Sequence, residues 1–181
     1  MPFLKTPFED LYVFEPIVFE DDRGYFYEAF NSRTFEKETG ITKPFVQDNQ
    51  AFSTKGVLRG LHFQIGEYAQ AKLVRVVQGE VLDVVVDLRK DKPTFGQSFS
   101  IFLSDSNKKQ LYVPRGFAHG YLVHSETAEF FYKCDNYYHQ PAEGGIRFDD
   151  SDLNIDWKMP SHDLHLSPKD LLLPFFATFK D

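Results

Sequence analysis

Short segments rich in β-branched and aromatic residues follow one another through the middle of the chain, and this succession most strongly limits its possible folds. Glycine, proline and other turn residues separate the segments at intervals of about eight to twelve residues. The segments are 72–77, 81–88, 98–103, 110–113, 118–124 and 129–134. This spacing is typical of an all-β sandwich or barrel. We therefore expect residues 1–181 to form one β-rich domain.

The flanking regions are expected to add edge strands and short helices at the two ends. The predicted elements are strands at 11–20 and 25–30, a turn at 21–24, a loop at 65–71, and helices at 32–39 and from Ser167 onward. Pro16 indicates an edge position because proline cannot donate to a β-ladder. Ser32 is the predicted N-cap of the first helix, and Gly40 is its predicted end.

Net charge and cysteine content limit the possible partners and compartment. The formal charge of −7 argues against nucleic-acid binding, which requires a basic surface. It permits an anionic small molecule, because a few local Arg and Lys side chains can hold a phosphate. Cys134 is the single cysteine, so no intramolecular disulfide is possible. Without an apolar signal sequence or a membrane-length apolar run, we expect a cytoplasmic protein with no membrane partner.

The stretch Val57-Leu-Arg-Gly-Leu-His-Phe-Gln64 carries polar residues in a segment that otherwise has the pattern of a strand. Strand alternation places His62 on one face with Gly60 and Gln64, and Arg59 on the other. Lys72 and Tyr132 are single polar residues on otherwise apolar strand faces. Three proton-carrying side chains from three strands suit a pocket inside a β-barrel.

Each of these residues also has a structural interpretation. His62 could be a hydrogen-bonded structural histidine, Lys72 a solvated strand end, and Tyr132 a core ring with a polar tip. Asp170 could be a helix-capping residue, because Ser167 and Pro168 precede it in the N-cap and N1 positions. The residues alone leave these alternatives open.

A second histidine-bearing stretch, Tyr112-Val-Pro-Arg-Gly-Phe-Ala-His-Gly120, has the spacing of the second cupin motif. Metal-binding cupins add a His-x-His pair and a nearby Glu. Here Gln64 replaces the second His of that pair, and Glu67 falls one residue short of the usual spacing. Two imidazoles without a third ligand form a poor metal site, so we expect a cupin barrel without a metal.

Read together, ten blocks of the sequence resemble one family. They are Asp22-Arg-Gly24, Phe45-Val-Gln-Asp-Asn-Gln50, Gly56-Val-Leu-Arg-Gly-Leu-His-Phe-Gln64, Lys72-Leu-Val-Arg75, Gly79-Glu-Val81, Val86-Asp-Leu-Arg89, Pro93-Thr-Phe-Gly96, Pro114-Arg-Gly-Phe-Ala-His-Gly120, Tyr132-Lys133 and Asn136-Tyr-Tyr138. The family is the dTDP-4-dehydrorhamnose 3,5-epimerases, which are RmlC-type cupins. The resemblance implies an all-β jelly-roll barrel with short helices at its ends and no cofactor.

The resemblance also implies catalytic roles. The family's substrate is dTDP-4-dehydro-6-deoxy-glucose, whose ketone acidifies the hydrogens at C3 and C5. By resemblance, His62 is the base, Asp170 orients it, Lys72 stabilises the enolate and Tyr132 returns a proton. An imidazole titrates near neutrality, and a carboxylate on its other nitrogen is expected to raise its basicity.

Further residues match the family's substrate ligands. Arg23 and Arg59 match diphosphate ligands, and His119 matches a sugar contact. The remaining matches are Glu28, Gln47 and Asn49 for the thymidine and sugar, Tyr138 for stacking on the base, and Glu143 and Lys169 as further ligands. Since the family exchanges early strands between subunits, the resemblance implies a homodimer with shared sites.

Three other functions remain as alternatives. The chain could epimerise a related dTDP-4-keto sugar at C3 or C5 alone. It could be a metal-dependent cupin isomerase or oxygenase using His62 and His119. It could also be a nucleotide-sugar binding module without catalysis. A monoepimerase and a 3,5-epimerase share the same base, so His62 does not distinguish them.

Overall fold

The computed structural model describes residues 3–179, which form mainly antiparallel β-strands. The strands are β1 (Phe3–Lys5), β2 (Tyr12–Phe14), β3 (Phe19–Asp21), β4 (Gly24–Phe26), β5 (Gln47–Thr54), β6 (Leu58–Gln64), β7 (Lys72–Gln78), β8 (Glu80–Asp87), β9 (Ser98–Ser104), β10 (Gln110–Val113), β11 (Phe117–Val123), β12 (Thr127–Cys134) and β13 (Glu143–Gly145). The helices are α1 (Ser32–Thr39) and α2 (Pro168–Leu171), with four short 3₁₀ segments. In this part of the chain, no helix is long and apolar enough to cross a membrane.

Two antiparallel sheets pack face to face as a jelly roll. One has the order β1-β2-β10-β7-β12-β5 and the other β13-β6-β11-β8-β9, while β3 and β4 pair only with each other among residues 3–179. The prediction of an all-β jelly roll is confirmed. The sheets stay separate rather than closing into one barrel, because the edge strands β5 and β13 do not pair with each other.

Both faces of the five-stranded sheet are buried. Its inner face packs against the six-stranded sheet, with Val85 and Tyr121 in the same cluster as Val74 and Phe130. Its outer face is covered by the later part of the chain, where Trp157 and other side chains join Leu82 and Val84. Strand β8 is therefore largely apolar on both sides, and its buried carboxylates Asp83 and Asp87 each have a specific partner, His119 and Arg89 respectively.

The N-terminal region differs from its predicted boundaries. The predicted strand 11–20 is two strands, β2 and β3, because the segment around Pro16 joins no ladder. The predicted strand 25–30 ends at Phe26; beyond it, Tyr27 and Ala29 accept hydrogen bonds from Arg75 and Gln110 side chains.

Local capping and turn chemistry also correct two predictions. Asn31, not Ser32, is the N-cap of α1, because its side chain accepts the N–H groups of Arg33 and Thr34. Gly40 ends the helix in the left-handed conformation, as predicted, with φ of 75°. The predicted loop 65–71 contains a 3₁₀ turn over Gly66–Tyr68.

Strands β6 and β11 approach so closely that only glycine fits at the contact. A Cβ added to Gly120 would lie 2.7 Å from the Arg59 carbonyl oxygen, and one added to Gly60 would lie 2.6 Å from the Gly120 Cα. At this point the register shifts, so that Arg59 faces Tyr121 and His62 faces His119. The shift breaks the predicted alternation, and Arg59 and His62 line the same cavity rather than opposite faces.

Candidate active site

A cavity of about 540 Å³ lies between the two sheets and is large enough for a small-molecule ligand. Residues from both sheets and from the α2 region line it. They are Ala51, Val57, Leu58, Arg59, His62, Lys72, His119, Tyr121, Phe130, Tyr132, His165, Leu166, Ser167, Lys169 and Asp170. The cavity therefore contains the four side chains predicted to be catalytic, although they are far apart in the sequence.

His62 and Asp170 form a hydrogen-bonded pair. His62 Nε2 lies 2.6 Å from Asp170 Oδ1, and the carboxylate is buried. Ser167 caps α2 by accepting the Asp170 backbone N–H. The cap and the histidine contact thus use different groups of the same helix turn, and the Asp170 side chain faces the imidazole.

The segment that carries Asp170 is fixed to β6 by backbone hydrogen bonds. The His165 N–H donates to the Gly56 carbonyl, and the Leu58 N–H donates to the His165 carbonyl. These two bonds place α2 beside the strand that bears His62, and this explains how residues 108 positions apart meet.

Burial controls the basicity of His62. Desolvation lowers its pKa below the ordinary value of 6.5, although Asp170 acts in the opposite direction by hydrogen bonding and charge. The expected increase in basicity from the carboxylate is present but smaller than the effect of burial. If Nε2 donates to Asp170, the neutral ring has its basic lone pair on Nδ1. The imidazole is then neutral and able to accept a proton at neutral pH.

His119 has a buried acidic partner that the sequence analysis did not single out. Its Nε2 lies 2.9 Å from Asp83 Oδ2 and 3.0 Å from Oδ1. Burial raises the pKa of Asp83, opposed by the neighbouring imidazole. A charged residue inside the apolar run of β8 was the available signal, since Asp83 is on the same face as the inward residues Val81 and Val85.

Lys72 and Tyr132 enter the cavity from the six-stranded sheet, whereas His62 and His119 come from the five-stranded sheet. The Lys72 Nζ lies 5.8 Å from the centre of the Tyr132 ring. Burial lowers the pKa of Lys72 and raises that of Tyr132 to about 12. Tyr132 therefore keeps its proton at neutral pH and can act as an acid. The two groups of polar residues face each other across the cavity.

A second space of about 240 Å³ adjoins the first and shares His62, Lys72 and Tyr132 with it. The predicted ligands Gln47, Asn49, Tyr138 and Glu143 line this space. Glu143 accepts a hydrogen bond from the Tyr138 hydroxyl at 2.7 Å and pairs with Lys169 at 2.7 Å. These bonds lower the Glu143 pKa against the opposing effect of its burial.

Gln64, at the position of a cupin metal ligand, instead connects two loops. Its amide nitrogen donates to the Tyr68 carbonyl, and its amide oxygen accepts the His139 N–H. Over residues 3–179, no group of three or more His, Cys, Asp or Glu side chains is arranged to hold a metal ion. The two loops border the second space beside Tyr138.

All predicted site residues except Arg23 and Glu28 line one of these two spaces. Arg23 is on the β3–β4 hairpin, where it pairs with Asp21 and its side chain is 89% exposed. Glu28 accepts a hydrogen bond from Asn31 beside α1. Within one chain, these two residues lie apart from the cavity.

Comparison with known proteins indicates one family. The sequence model described as dTDP-4-dehydrorhamnose 3,5-epimerase matches residues 5–178. The dTDP-4-dehydrorhamnose 3,5-epimerase of Escherichia coli (strain K12) is 53% identical over 170 residues, which are 94% of this chain and 91% of that protein.

Solved structures give the same result. The crystal structure of dTDP-4-dehydrorhamnose 3,5-epimerase from Elizabethkingia anophelis NUHP1 has a TM-score of 0.95 and 56% identity, covering 98% of this chain and 97% of that one. The dTDP-6-deoxy-D-glucose-3,5-epimerase from Legionella pneumophila Philadelphia 1, solved in complex with dTDP-4-keto-L-rhamnose, has a TM-score of 0.93 and 46% identity. It covers 97% of this chain and 93% of that one.

Proposed function

The chain belongs to the dTDP-4-dehydrorhamnose 3,5-epimerase family, and we propose that it inverts C3 and C5 of dTDP-4-dehydro-6-deoxy-D-glucose to give dTDP-4-dehydro-L-rhamnose. The assignment of catalytic roles to these side chains rests on one observation. The His62–Asp170 pair and the Tyr132 phenol belong to opposite sheets and face one cavity. Inversion of a carbon requires removal of a proton from one side and its return from the other.

The C4 ketone allows each inversion to proceed through an enolate. Neutral His62 removes the proton from C3 or C5, and the electrons of the C–H bond move onto the C4 oxygen. The Lys72 cation stabilises that oxygen. As the enolate electrons return to the carbon, Tyr132 donates its proton to the opposite side of that carbon. Tyr132 then regains a proton from solvent, and the His62 imidazolium releases its proton to solvent, so that both groups are ready for the second inversion. Asp170 holds the imidazole and stabilises the imidazolium that forms.

The His119–Asp83 pair is proposed to bind the sugar. The pair lies next to His62, because His119 faces His62 across the β6–β11 ladder. A histidine held by a buried carboxylate has a fixed orientation, so its ring edge can contact the substrate without rearrangement. Arg59 and Lys169 are cations in the same cavity, suited to an anionic diphosphate in an otherwise acidic protein.

The base of the nucleotide is assigned to the second space. Tyr138 offers an exposed ring for stacking there, and the Gln47 and Asn49 amides offer both donors and acceptors. Glu143 and Lys169 border the passage between the two spaces, so a nucleotide sugar could extend through both.

A homodimer with exchanged N-terminal strands is part of the proposal. Strand β5 is an eight-residue edge strand that pairs only with β12 within residues 3–179. The β3–β4 hairpin has no other partner strand there, and it exposes Phe19 by 63% and Phe26 by 70%. An open sheet edge and exposed apolar side chains both favour association with a second copy. The exchange would bring Arg23 and Glu28 to the partner's cavity.

A cytoplasmic location is also part of the proposal, and the buried free Cys134 is compatible with it.

Proton NMR of the reaction in deuterium oxide tests the proposal. We expect deuterium at both C3 and C5 of the product, because each carbon exchanges its proton through solvent-exchangeable groups. His62→Ala should abolish exchange at both carbons while dTDP binding is retained. Deuterium at one carbon alone would identify a monoepimerase, and full exchange by His62→Ala would refute the role of His62. Loss of activity in EDTA, restored by a divalent metal, would instead favour the metal-dependent alternative.

A further inference from the structure

The Tyr121 hydroxyl is buried beside the cavity without a hydrogen-bond partner. Tyr121 is 5% exposed and lines the cavity together with Arg59 and His62. Within residues 3–179, its oxygen and Arg115 Nη2 are the buried side-chain polar atoms without a partner. Such an atom destabilises a folded protein, because its hydrogen bonds to water are not replaced. An unpartnered phenol in a ligand cavity therefore points to a hydrogen bond that forms when the ligand is bound.

Packing fixes the position of this phenol. The Tyr121 ring stacks on Phe130 with 4.0 Å between ring centres and 16° between planes. Both rings come from central strands whose side chains fill the space between the sheets. The hydroxyl cannot swing away to find another partner without breaking this stack.

Arg59 is the neighbouring cation. Tyr121 faces Arg59 across the β6–β11 ladder. Ser53 and Arg59 lie close enough to the phenol to lower its pKa against the effect of burial, but neither makes a hydrogen bond of good geometry with its oxygen in the free protein. The Arg59 Nε donates to Ser53 Oγ at 3.1 Å, which leaves the other guanidinium N–H groups available. Burial raises the pKa of Tyr121, so the phenol stays neutral and its oxygen can accept a hydrogen bond.

We propose that Tyr121 is a positioning residue for Arg59, and that its oxygen accepts an Arg59 N–H when the guanidinium turns towards the diphosphate of the nucleotide sugar. This rests on the proposed role of Arg59 as a diphosphate ligand. Ser53 and Tyr121 then hold two sides of the guanidinium and fix its plane. A fixed plane allows paired N–H···O contacts with the phosphate oxygens.

Tyr121→Phe removes the hydroxyl and keeps the ring. We expect its affinity for dTDP to fall about five- to tenfold, which corresponds to one lost hydrogen bond of typical net strength. Most of the loss in kcat/KM should appear as a higher KM. Without ligand, the melting temperature should not fall, because no hydrogen bond is lost in the free protein. The rise in melting temperature on adding dTDP should be smaller than in the wild type.

Tyr112→Phe is the matched control, since Tyr112 is also 5% exposed but packs around α1, away from the cavity. It should leave dTDP affinity unchanged. Wild-type affinity in Tyr121→Phe, or a melting temperature lowered without ligand together with unchanged affinity, would overturn the proposal.

A double-mutant cycle with Arg59→Ala separates the possible roles. If Tyr121 acts through Arg59, Tyr121→Phe should have no further effect on dTDP affinity in the Arg59→Ala protein. A full additional loss would mean that Tyr121 contacts the ligand directly, which contradicts a positioning role. If Arg59→Ala alone leaves dTDP affinity unchanged, both the proposed role of Arg59 and this inference are wrong. If only Tyr121→Phe has no effect, the inference alone fails.

Discussion

His62 is subject to two opposing influences on its pKa. Burial disfavours the imidazolium, and the Asp170 carboxylate favours it; burial has the larger effect. The proposed base must be neutral to accept a proton, so kcat/KM should fall as the pH drops through this pKa. Because the pKa is lowered, we expect the midpoint of the acid limb below 6.5. A pH–rate profile measures this directly, and a flat profile from pH 5 to 8 would count against His62 as the base.

Asp170→Asn distinguishes the two interpretations of Asp170. Removal of the charge should lower the His62 pKa further and move the acid limb to lower pH, while kcat falls by about a hundredfold because the imidazolium loses its partner. Ser167→Ala is the control for the cap, since it removes the acceptor of the Asp170 N–H and keeps the carboxylate. An acid limb that does not move in Asp170→Asn would mean that Asp170 only supports the helix.

Which residues enter the site was partly predictable from the alternation of side chains along each strand. Lys72 and Tyr132 each interrupt an apolar face, His62 shares a face with Gly60 and Gln64, and all three enter the cavity. Asp83 likewise interrupts an apolar strand face, the inward face of β8 that carries Val81 and Val85, but the sequence analysis did not select it. Tyr121 gave no such signal, because an aromatic residue in a strand is indistinguishable from a core residue until its hydroxyl is found without a partner.

Among the elements, the β6–β11 contact controls the spacing of the two histidines. Gly120→Ala would force the Arg59 carbonyl or the Gly120 backbone to move, since the added methyl would lie 2.7 Å from that oxygen. We expect a free energy of unfolding lower by about 1–3 kcal/mol, typical of overpacking, together with a lower kcat/KM as His119 shifts relative to His62. Denaturant unfolding and steady-state kinetics measure the two effects.

Gly66→Ala serves as the comparison for this variant. Its added methyl has open space, so the substitution disturbs only a backbone with φ of 61°. It should destabilise the protein without a comparable loss in kcat/KM. If Gly120→Ala kept wild-type stability and activity, the close approach of the two strands would not determine the site geometry.

Strand order and helix ends were only partly predictable from local sequence. The strands from β7 to β12 follow the turn residues closely, and the C-terminal helix begins where its Ser-Pro signal indicates. The shift in register at Gly60 and Gly120 was not predictable, because it depends on two glycines meeting across a ladder. As a result, Arg59 and His62 were assigned to opposite faces although they line one cavity.

At the scale of the whole molecule, the two sheets provide the opposed sides of the site, but one chain leaves Arg23 and Glu28 outside it. The alternation of side chains and the spacing of motifs could not predict that these two residues lie outside the cavity, because both patterns describe a single chain. Mixed dimers test whether a second copy supplies them. Arg23→Ala and His62→Ala should each have impaired activity as pure dimers.

In mixed dimers of these two variants, one site would receive His62 from one chain and Arg23 from the other. Random association should therefore restore about one quarter of wild-type activity, because half of the dimers are mixed and each has one intact site of two. Co-expression with different affinity tags gives the mixed species for assay. No recovery in purified mixed dimers would show that Arg23 serves its own chain, or that the sites are not shared.

The open edge of β5 also matters for a chain that has not yet met a partner. An unpaired edge offers its backbone N–H and C=O groups to any extended segment, including the same strand of an unfolded neighbour. Phe52 and the aromatic residues of the β3–β4 hairpin are exposed, so such contacts would also bury apolar surface. Correct pairing and aggregation thus compete for the same surface during synthesis. In the proposed dimer, a folded copy would occupy that edge and protect a newly made chain.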